Sequence, residues 1–422
     1  MPNRQTFQTK SEETHIATEA LPAVLAGPVI RHTTRDQVNI WLVTSLAEAP
    51  QVSLTDRSGE QSNQNGTCRT IRVGEHAFIH LLTVPCVLNE GEVVEYTLTF
   101  ANPATQSRWQ SELTRLLYDG QNALSLCWQP NLSNVLHGSC RKPHHPEKDA
   151  LVAADIQIGK AIKHNEARPD LLLLTGDQIY ADDVAGPTLQ AVQQVVALLG
   201  LYEEPLEGAV VDHSAALKDN AHNYYEREKI LPQIATNTAL SKLFFGAKKK
   251  PVFTSVNAQN HLITCSEVLA MYLLAWSDSM WPLVTLSDDS VPDNHKVRFD
   301  EELGVVNAFT ETLPAIRRAF AHVPVYMIFD DHDVTDDWNL TQGWEEEVYG
   351  HALSRRMVGN ALIGYWLCQG WGNAPDKFDD VFEAAKPVFA GPDLNNQDAF
   401  IDLLFDFEQW HYELETSPPV KV

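Results

Sequence analysis

The N-terminal part of the chain alternates apolar and polar residues, or runs apolar with many β-branched and aromatic residues. Residues 22 to 112 contain four such segments, VNIWLVTSL, APQVSLTD, HAFIHLLTV and EVVEYTLTF, separated by turn clusters such as DRSGEQSNQNGT. Short strands at this spacing are typical of a β-sandwich. We therefore predict a small all-β sandwich over residues 22–118, preceded by a disordered tail over residues 1–21.

Beyond residue 119 the pattern changes to apolar runs that alternate with segments of helical periodicity. LSLCW has the composition of a strand, AADIQIGKAIKH has helical spacing, and DLLLLTGDQIY is an apolar strand that ends in Gly-Asp. Further along, the helical segment TLPAIRRAFAH leads into the apolar run VPVYMIF, and helix-like segments follow it. This order predicts a parallel sheet covered by helices. We predict an α/β domain over residues 119–415.

Acidic residues collect directly after two of these apolar strands, in GDQIYADD and in FDDHDVTDDWN. The residues concerned are Asp177, Tyr180, Asp182 and Asp183 in the first cluster, and Asp330, Asp331, His332, Asp333, Asp336 and Asp337 in the second. In open α/β sheets, ligands bind at the carboxyl ends of the strands. Carboxylates suit Mg, Ca, Mn and ferric iron, and a thiolate, imidazole or phenolate favours iron or zinc. A solvated acidic turn is the alternative interpretation, and the position after a buried strand favours a metal site.

A third segment, LHGSCRKPHHPEKD, offers Cys140 and Arg141 in a glycine-led turn. Cys127, in LSLCW, competes with Cys140 as a ligand, and a lone cysteine is more often a small buried hydrophobe than a ligand. The Gly-Ser before Cys140 and the Arg-Lys-Pro after it favour Cys140. Two metals that share one carboxylate can clamp a phosphoryl group and activate a water. His332 is placed to protonate the leaving oxygen in such a reaction.

The segments GSCR, GDQIY and FDDHDVTDDWN, in this order, resemble the metal-binding motifs of PhoD-type alkaline phosphatases and phosphodiesterases. That family belongs to the calcineurin-like metallophosphoesterase superfamily, and with the upstream β domain the resemblance covers most of residues 22 to 345. It implies an α/β fold with a metallophosphatase-type β-sandwich flanked by helices. It also implies hydrolysis of a small phosphate mono- or diester at a dinuclear site, with Fe, Ca, Mn or Zn ions as cofactors.

The resemblance assigns a role to each matching residue. Cys140 would bind the iron, Asp177 would bridge the two metals, and Tyr180 would add a phenolate ligand. A tyrosine at that position could also simply pack its ring. Asp331 stands where the wider superfamily has the asparagine of its Gly-Asn-His motif, and it would be a ligand. His332 would be the catalytic histidine beside the leaving group.

Other residues near the motifs receive weaker assignments. Arg141 and Asn339 are candidates for contacts to the phosphate or to the ligands, with Arg141 as the catalytic candidate of the two. The roles of Asp182, Asp183, Asp336 and Asp337 stay open. The family's pattern also includes a later Gly-Asp-x-His segment, whose histidine completes the metal shell.

After Trp338 the histidines are His351 and His411, and neither stands in a Gly-Asp-x-His context. We therefore expect the catalytic domain to be truncated at its C-terminus. Two alternatives to an active phosphoesterase follow: a truncated relative with impaired catalysis, and a protein whose acidic clusters hold structural calcium. The clusters lack the regular oxygen spacing of an EF-hand loop, which disfavours the calcium protein.

The net charge and the cysteine content limit which partners and which cellular compartment we expect for this protein. The 422 residues carry a formal charge of −25, which argues against general nucleic-acid binding and against docking on an anionic membrane. The six cysteines form no CxxC pair, which fits reduced thiols. The N-terminal residues lack a signal-peptide core and a twin arginine, and LPAVLAGPVI is too short to span a bilayer. We expect a cytoplasmic protein without a membrane span and leave its oligomeric state open.

Overall fold

The computed structural model describes residues 21–406, except residues 57, 58, 60, 63–65, 232–252, 254–257, 337, 395 and 396. Several predictions fall outside the described residues. They are the tail over residues 1–21, of which only Leu21 is described, the position of Asp337 and that of His411, and the end of the predicted α/β domain from residue 407 to 415.

The described residues form strands, helices and short helical turns, with seven strands in succession first and mostly helices after β10. The strands are β1 (Val24–Thr33), β2 (Gln37–Thr44), β3 (Gln51–Thr55), β4 (Gln61–Ser62), β5 (Thr67–Gly74), β6 (Ala77–Pro85), β7 (Val93–Thr99), β8 (Leu124–Cys127), β9 (Val135–Gly138), β10 (Leu171–Thr175) and β11 (Val325–Ile328). The α-helices are α1 (Pro103–Leu113), α2 (Val152–His164), α3 (Gly186–Leu199), α4 (Cys265–Trp276), α5 (Lys296–Thr310), α6 (Leu313–Phe320), α7 (Gln342–Tyr349), α8 (Ala352–Tyr365), α9 (Trp371–Asn373), α10 (Asp379–Val388) and α11 (Gln397–Phe405). A 3₁₀ turn covers Asp331–Asp333, and a π-helical turn, Trp366–Gly370, joins α8 to α9.

Two antiparallel sheets pack against each other in the N-terminal part of the chain, where helix α1 also lies within the span predicted to be all-β. The first sheet has the order β1-β2-β6-β5, and the second has the order β4-β3-β7-β8. Side chains from both sheets meet in one apolar cluster, with Ile40 and Leu82 from the first sheet and Leu54 and Leu98 from the second. Each of these residues is nearly inaccessible to solvent, so burial of apolar surface holds the two sheets together.

Strand β8, the LSLCW segment, does not start the parallel sheet. It pairs antiparallel with β7, with Val94 opposite Leu126, and so completes the second sheet of the sandwich. The prediction that this segment is the first strand of a βαβ unit is therefore wrong. Its partner is set by contacts distant along the chain, and a four-residue apolar run carries no signal that distinguishes one buried sheet from another.

The first sheet is covered on both faces. Its second face, which carries Trp41, Ile79 and Leu81, packs into a larger apolar core shared with the helices of the C-terminal part. Trp41 Nε1 donates a hydrogen bond to the carbonyl of Leu367 at 2.8 Å. A strand buried on both faces needs an almost continuous apolar sequence, which explains why β1 and β2 are mostly apolar runs rather than strict alternations.

A three-stranded parallel sheet positions the two acidic clusters. Its order is β11-β10-β9, and the register places Leu174 beside Gly138 on one side and beside Met327 on the other. The carboxyl ends of all three strands therefore lie at the same edge of the sheet. Helix α2 connects β9 to β10, so the strand that precedes the helix in this unit is β9 and not the predicted LSLCW segment. Strand β9 pairs only with β10 among the described strands, and its Val135 is 44% exposed.

The chain thus has a mixed α/β fold with antiparallel sheets, one parallel sheet and many helices, as the sequence predicts at that level. The metallophosphatase type of the fold and the domain boundaries at residues 22, 118 and 415 stay predictions. Among the described helices, none has both the length and the apolar composition that a bilayer crossing requires.

Candidate metal centre

The loop after β10 places Asp177 at the floor of the candidate site. Asp177 is 1% exposed, and its carbonyl accepts a hydrogen bond from the Arg141 backbone N–H at 2.8 Å. The preceding Gly176 touches the loop after β9 so closely that a Cβ at this position would lie 2.7 Å from Cys140 Sγ. Only a glycine fits this contact, which brings the two loops together.

Cys140 joins Asp177 at this junction. Its thiol is within hydrogen-bonding reach of the Asp177 carboxylate and the Tyr180 hydroxyl. Ligand atoms of Cys140, Asp177 and Asp330 all lie within 4.8 Å of one another. The competing Cys127 is instead buried in β8, in the second sheet of the sandwich. Of the two cysteines, Cys140 is therefore the one that lies with the acidic clusters.

A second group of ligand atoms adjoins the first and shares Asp177 with it. It consists of Asp177, Asp331 and His332, whose ligand atoms also lie within 4.8 Å of one another. Asp331 and His332 lie in the 3₁₀ turn after β11 and are partly exposed, whereas Asp177 is buried. One buried carboxylate between two groups of donors is the arrangement in which a carboxylate bridges two cations.

Asp182 holds the ring of His332 in one orientation. His332 Nδ1 donates to both carboxylate oxygens of the fully buried Asp182 at 3.0 Å. This hydrogen bond raises the pKa of His332 to about 9. The Tyr180 ring stacks on the imidazole at a centroid distance of 4.8 Å. Because Nδ1 is bonded to Asp182 and one ring face is covered by Tyr180, Nε2 is the ring nitrogen that can exchange a proton with a ligand.

Tyr180 adopts a backbone conformation that is unusual for a bulky residue. Its φ is +52°, in the left-handed region, which costs about 1–2 kcal/mol for a residue with a Cβ. The conformation directs the ring between His332 and Cys140. Tyr180 therefore packs its ring on His332 and also holds its hydroxyl beside the proposed ligand Cys140. Burial and the charges of Asp177 and Cys140 raise the pKa of Tyr180 well above its ordinary value.

Asp333, to which the sequence assigned no separate role, ties the two acidic loops to each other. Its Oδ1 accepts hydrogen bonds from the backbone N–H groups of Gln178 at 2.7 Å and Ile179 at 2.8 Å. Its own N–H donates to Asp177 Oδ1 at 3.2 Å. On the other side, Gln369 Nε2 from the π-helical turn donates to Asp333 Oδ2 at 3.0 Å. Asp333 therefore orients the loop that carries Asp177.

Burial and mutual repulsion make the charged forms of these carboxylates unfavourable without a cation. Burial raises the pKa of Asp177 to about 6, and the neighbouring charges of Asp330 and Asp331 act in the same direction. Burial and the charge of Asp177 raise the pKa of Asp333 to about 7. A cation among these oxygens would favour their charged forms. Carboxylates with one thiolate suit iron or zinc better than calcium, because sulfur is a softer donor than oxygen.

Arg141 lies beside the site, but its guanidinium is directed elsewhere. Nε and Nη2 donate to Asp149 Oδ2 at 3.0 and 2.8 Å, and the group stacks on the ring of Phe309. The side chain is 6% exposed. Its backbone N–H, not its charge, contacts the Asp177 loop. The phosphate-binding role predicted for Arg141 therefore does not enter our proposed function.

Lys142 provides a positive charge at the rim. Its ammonium contacts the Asp183 carboxylate and lies over the Tyr180 ring at 5.6 Å. His144 also contacts Asp183, at 3.4 Å. Burial opposes ionisation of Asp183, but the hydrogen bonds from His144 and Lys142 lower its pKa to about 2. Asp183 thus neutralises the charge of Lys142 at this rim, and it is not among the grouped ligand atoms.

The remaining candidates are not among the grouped ligand atoms. Asp336 donates its backbone N–H to Asp182 Oδ2 at 3.0 Å, so it helps to hold the carboxylate that orients His332. Asn339 is exposed and accepts a hydrogen bond from the Tyr349 hydroxyl at 2.7 Å. His351 lies at the start of α8, next to Gly208.

Cys140, Asp177, Tyr180, Asp331 and His332 thus come together in the structure, whereas the guanidinium of Arg141 pairs with Asp149 and the side chain of Asn339 bonds to Tyr349. Asp330 is a possible metal ligand that the sequence analysis did not propose, although it is adjacent to Asp331 in the motif. Gln369, which bonds to Asp333, lies in none of the sequence motifs. No family model matches the chain, and no curated protein matches it either.

Proposed function

We propose that this chain hydrolyses phosphate mono- or diesters at a dinuclear metal site, as the resemblance to PhoD-type phosphatases and phosphodiesterases implies. The observation that supports the proposal most is the shared position of Asp177. It belongs both to the group with Cys140 and Asp330 and to the group with Asp331 and His332. Both groups lie at the carboxyl ends of parallel strands, where ligands bind in such sheets.

In the proposed reaction the ligands are Cys140, Asp177, Asp330 and Asp331, with Tyr180 beside them. The bound cations would supply the positive charge that polarises the phosphate and acidifies a water. His332 would protonate the leaving oxygen from Nε2, because Asp182 fixes the opposite ring nitrogen. Asp182 acts as a positioning residue in this scheme, since it touches the imidazole and not the ester.

Hydrolysis of p-nitrophenyl phosphate and bis(p-nitrophenyl) phosphate by the purified chain tests the proposal. Each substrate is assayed with Mn, Ca, Fe and Zn, and bound metal is measured by elemental analysis. We expect turnover with at least one metal, and loss of both metal and turnover in Asp177→Asn. Asp300→Asn, at an exposed position of α5, is the control and should behave as the wild type.

Two results would contradict the proposal. Absence of turnover with every metal, in protein that binds metal, would leave a metal-binding chain without phosphoesterase activity. Turnover that persists unchanged in Asp177→Asn would show that the reaction takes place elsewhere. A change of leaving-group preference in Asp182→Asn, with metal content unchanged, would support the positioning role of Asp182.

A further inference from the structure

We infer that a cavity beside the candidate metal centre binds the organic group of the ester, and that this group is apolar and large enough to contain two fused rings. The inference rests on the proposed function, since it names the substrate class of the same site. Cys140 and Tyr180 connect the two places, because both line the cavity and both contribute to the metal centre.

The cavity lies between the parallel sheet and two helices. Strands β9 and β10 form one wall, and α2 and α5 form the others. Its volume is about 520 Å³. A cavity of about 150 Å³ already accommodates benzene, so this one has room for a group of naphthyl size. It falls within the usual range for small-molecule sites, about 300–1,000 Å³.

The inner wall of the cavity is apolar. Leu136, Leu172 and Leu174 contribute from the sheet, Leu151 from the start of α2, and Phe309 from α5. Hydroxyl groups of a sugar or of glycerol would find few partners against these side chains, and an unpaired buried hydroxyl is costly. An aromatic or branched alkyl group would bury apolar surface there instead.

Of the three Lys and Arg side chains that line the cavity, two are already paired with carboxylates, and the third, Lys148, is exposed. Arg141 is paired with Asp149, and Lys142 is paired with Asp183. A second phosphate or carboxylate beside Arg141 or Lys142 would therefore compete with an existing ion pair. Charge thus favours a neutral organic group in the cavity, with the single phosphate at the metal centre.

Two alanines mark the mouth of the cavity. Ala153 on α2 and Ala308 on α5 both line it and are both exposed, so a larger side chain can be introduced there without filling the protein core. Asn307, the neighbour of Ala308, is also exposed and does not line the cavity. Ala308→Trp and Asn307→Trp are therefore a matched pair that differ in whether the new ring narrows the mouth.

The test compares the binding of two phosphonates that cannot be hydrolysed, by isothermal titration calorimetry in the presence of Mn. 1-Naphthylmethylphosphonate carries the predicted group, and methylphosphonate lacks it. We expect the naphthyl compound to bind at least tenfold more tightly to the wild type and to Asn307→Trp. Ala308→Trp should remove most of this preference. Ala153→Trp provides a second variant, which narrows the mouth from the other helix.

The outcomes separate this inference from the proposed function, because binding is measured without turnover. Equal affinities for the two phosphonates would overturn the inference even if p-nitrophenyl esters are hydrolysed. A preference that both Ala308→Trp and Ala153→Trp retain would place the naphthyl group elsewhere and overturn it as well. A preference that these variants remove, in a chain without phosphoesterase activity, would support the binding site while the proposed function fails.

Discussion

Replacing Gly176 by alanine tests whether the close contact of two loops builds the candidate metal centre. The added Cβ would lie 2.7 Å from both Cys140 Sγ and Ser139 Oγ, and 2.8 Å from the backbone nitrogen of Cys140. At separations below 3.0 Å something must move, and a backbone nitrogen cannot rotate away as a side chain can. We therefore expect the Cys140 loop to shift away from Asp177.

The magnitude follows from two contributions. Overpacking a tight contact of this kind typically lowers the free energy of unfolding by about 1–3 kcal/mol. The residue that shifts is also a proposed ligand, and loss of a supporting contact typically lowers metal affinity about 10- to 100-fold. The variant should therefore be less stable without metal, and it should gain less stability than the wild type when metal is added.

The assay is urea unfolding at a series of Mn concentrations, with elemental analysis of bound metal. Gly304→Ala is the control, because a Cβ at this position in α5 meets nothing within 4 Å. In a helix interior this change should raise the free energy of unfolding by about 0.5–1 kcal/mol without changing the response to metal. The reasoning is refuted if Gly176→Ala matches the wild type both in stability and in metal content.

Three further substitutions test buried polar groups by their effect on unfolding. Gln369→Ala removes a donor to the buried Asp333 carboxylate and should lower the free energy of unfolding by about 1–3 kcal/mol. Glu267→Gln leaves the buried Arg227 guanidinium without its carboxylate partner and should cost about 3–5 kcal/mol. Burial lowers the pKa of His322 to about 3, so its contribution to stability is complete above pH 6.5 and is lost as the pH falls. From pH 6.5 to 5 the wild type should therefore lose about 2 kcal/mol more than His322→Gln.

Each of these variants has a control of the same chemical type at an accessible position. Gln194→Ala removes two solvent-exposed hydrogen bonds with the Thr285 backbone and should cost less than Gln369→Ala. Glu383→Gln breaks only an exposed pair with Lys386 and should cost less than about 1 kcal/mol. His164→Gln, at an exposed position in the last turn of α2, is the control for the His322 variant. Equal effects of a variant and its control would contradict the role assigned to the buried group.

The sequence was sufficient to predict the part of the site that depends on local pattern. The apolar runs of β10 and β11 are long enough to be recognised as buried strands, and the ends of parallel strands meet at one edge of the sheet. Asp177 and His332 follow these strands directly, so their proximity could be predicted before any contact was known. Cys140 follows β9, a strand that we did not predict, so Cys140 was favoured only by its neighbouring residues and by the family resemblance.

Other features depend on contacts that no local pattern encodes. The choice between Asp330 and Asp331 depends on the direction of each side chain around a 3₁₀ turn, which the letters FDDHD do not specify. Arg141 has the right charge for a phosphate, and only the position of Asp149 reveals that this charge is already paired. Gln369 supports Asp333 from a π-helical turn, a conformation that has no composition of its own.

The same π-helical turn has a consequence for the order in which the molecule can be assembled during synthesis. Arg31 Nη2 donates to the carbonyl of Gln369 at 2.5 Å across 338 residues of chain, and the side chain of Gln369 reaches back 36 residues to Asp333. On the ribosome, every proposed ligand emerges before this turn does. The nascent chain can therefore form its N-terminal sandwich early, but the loops that carry the ligands gain their final support only after residue 369 has been translated.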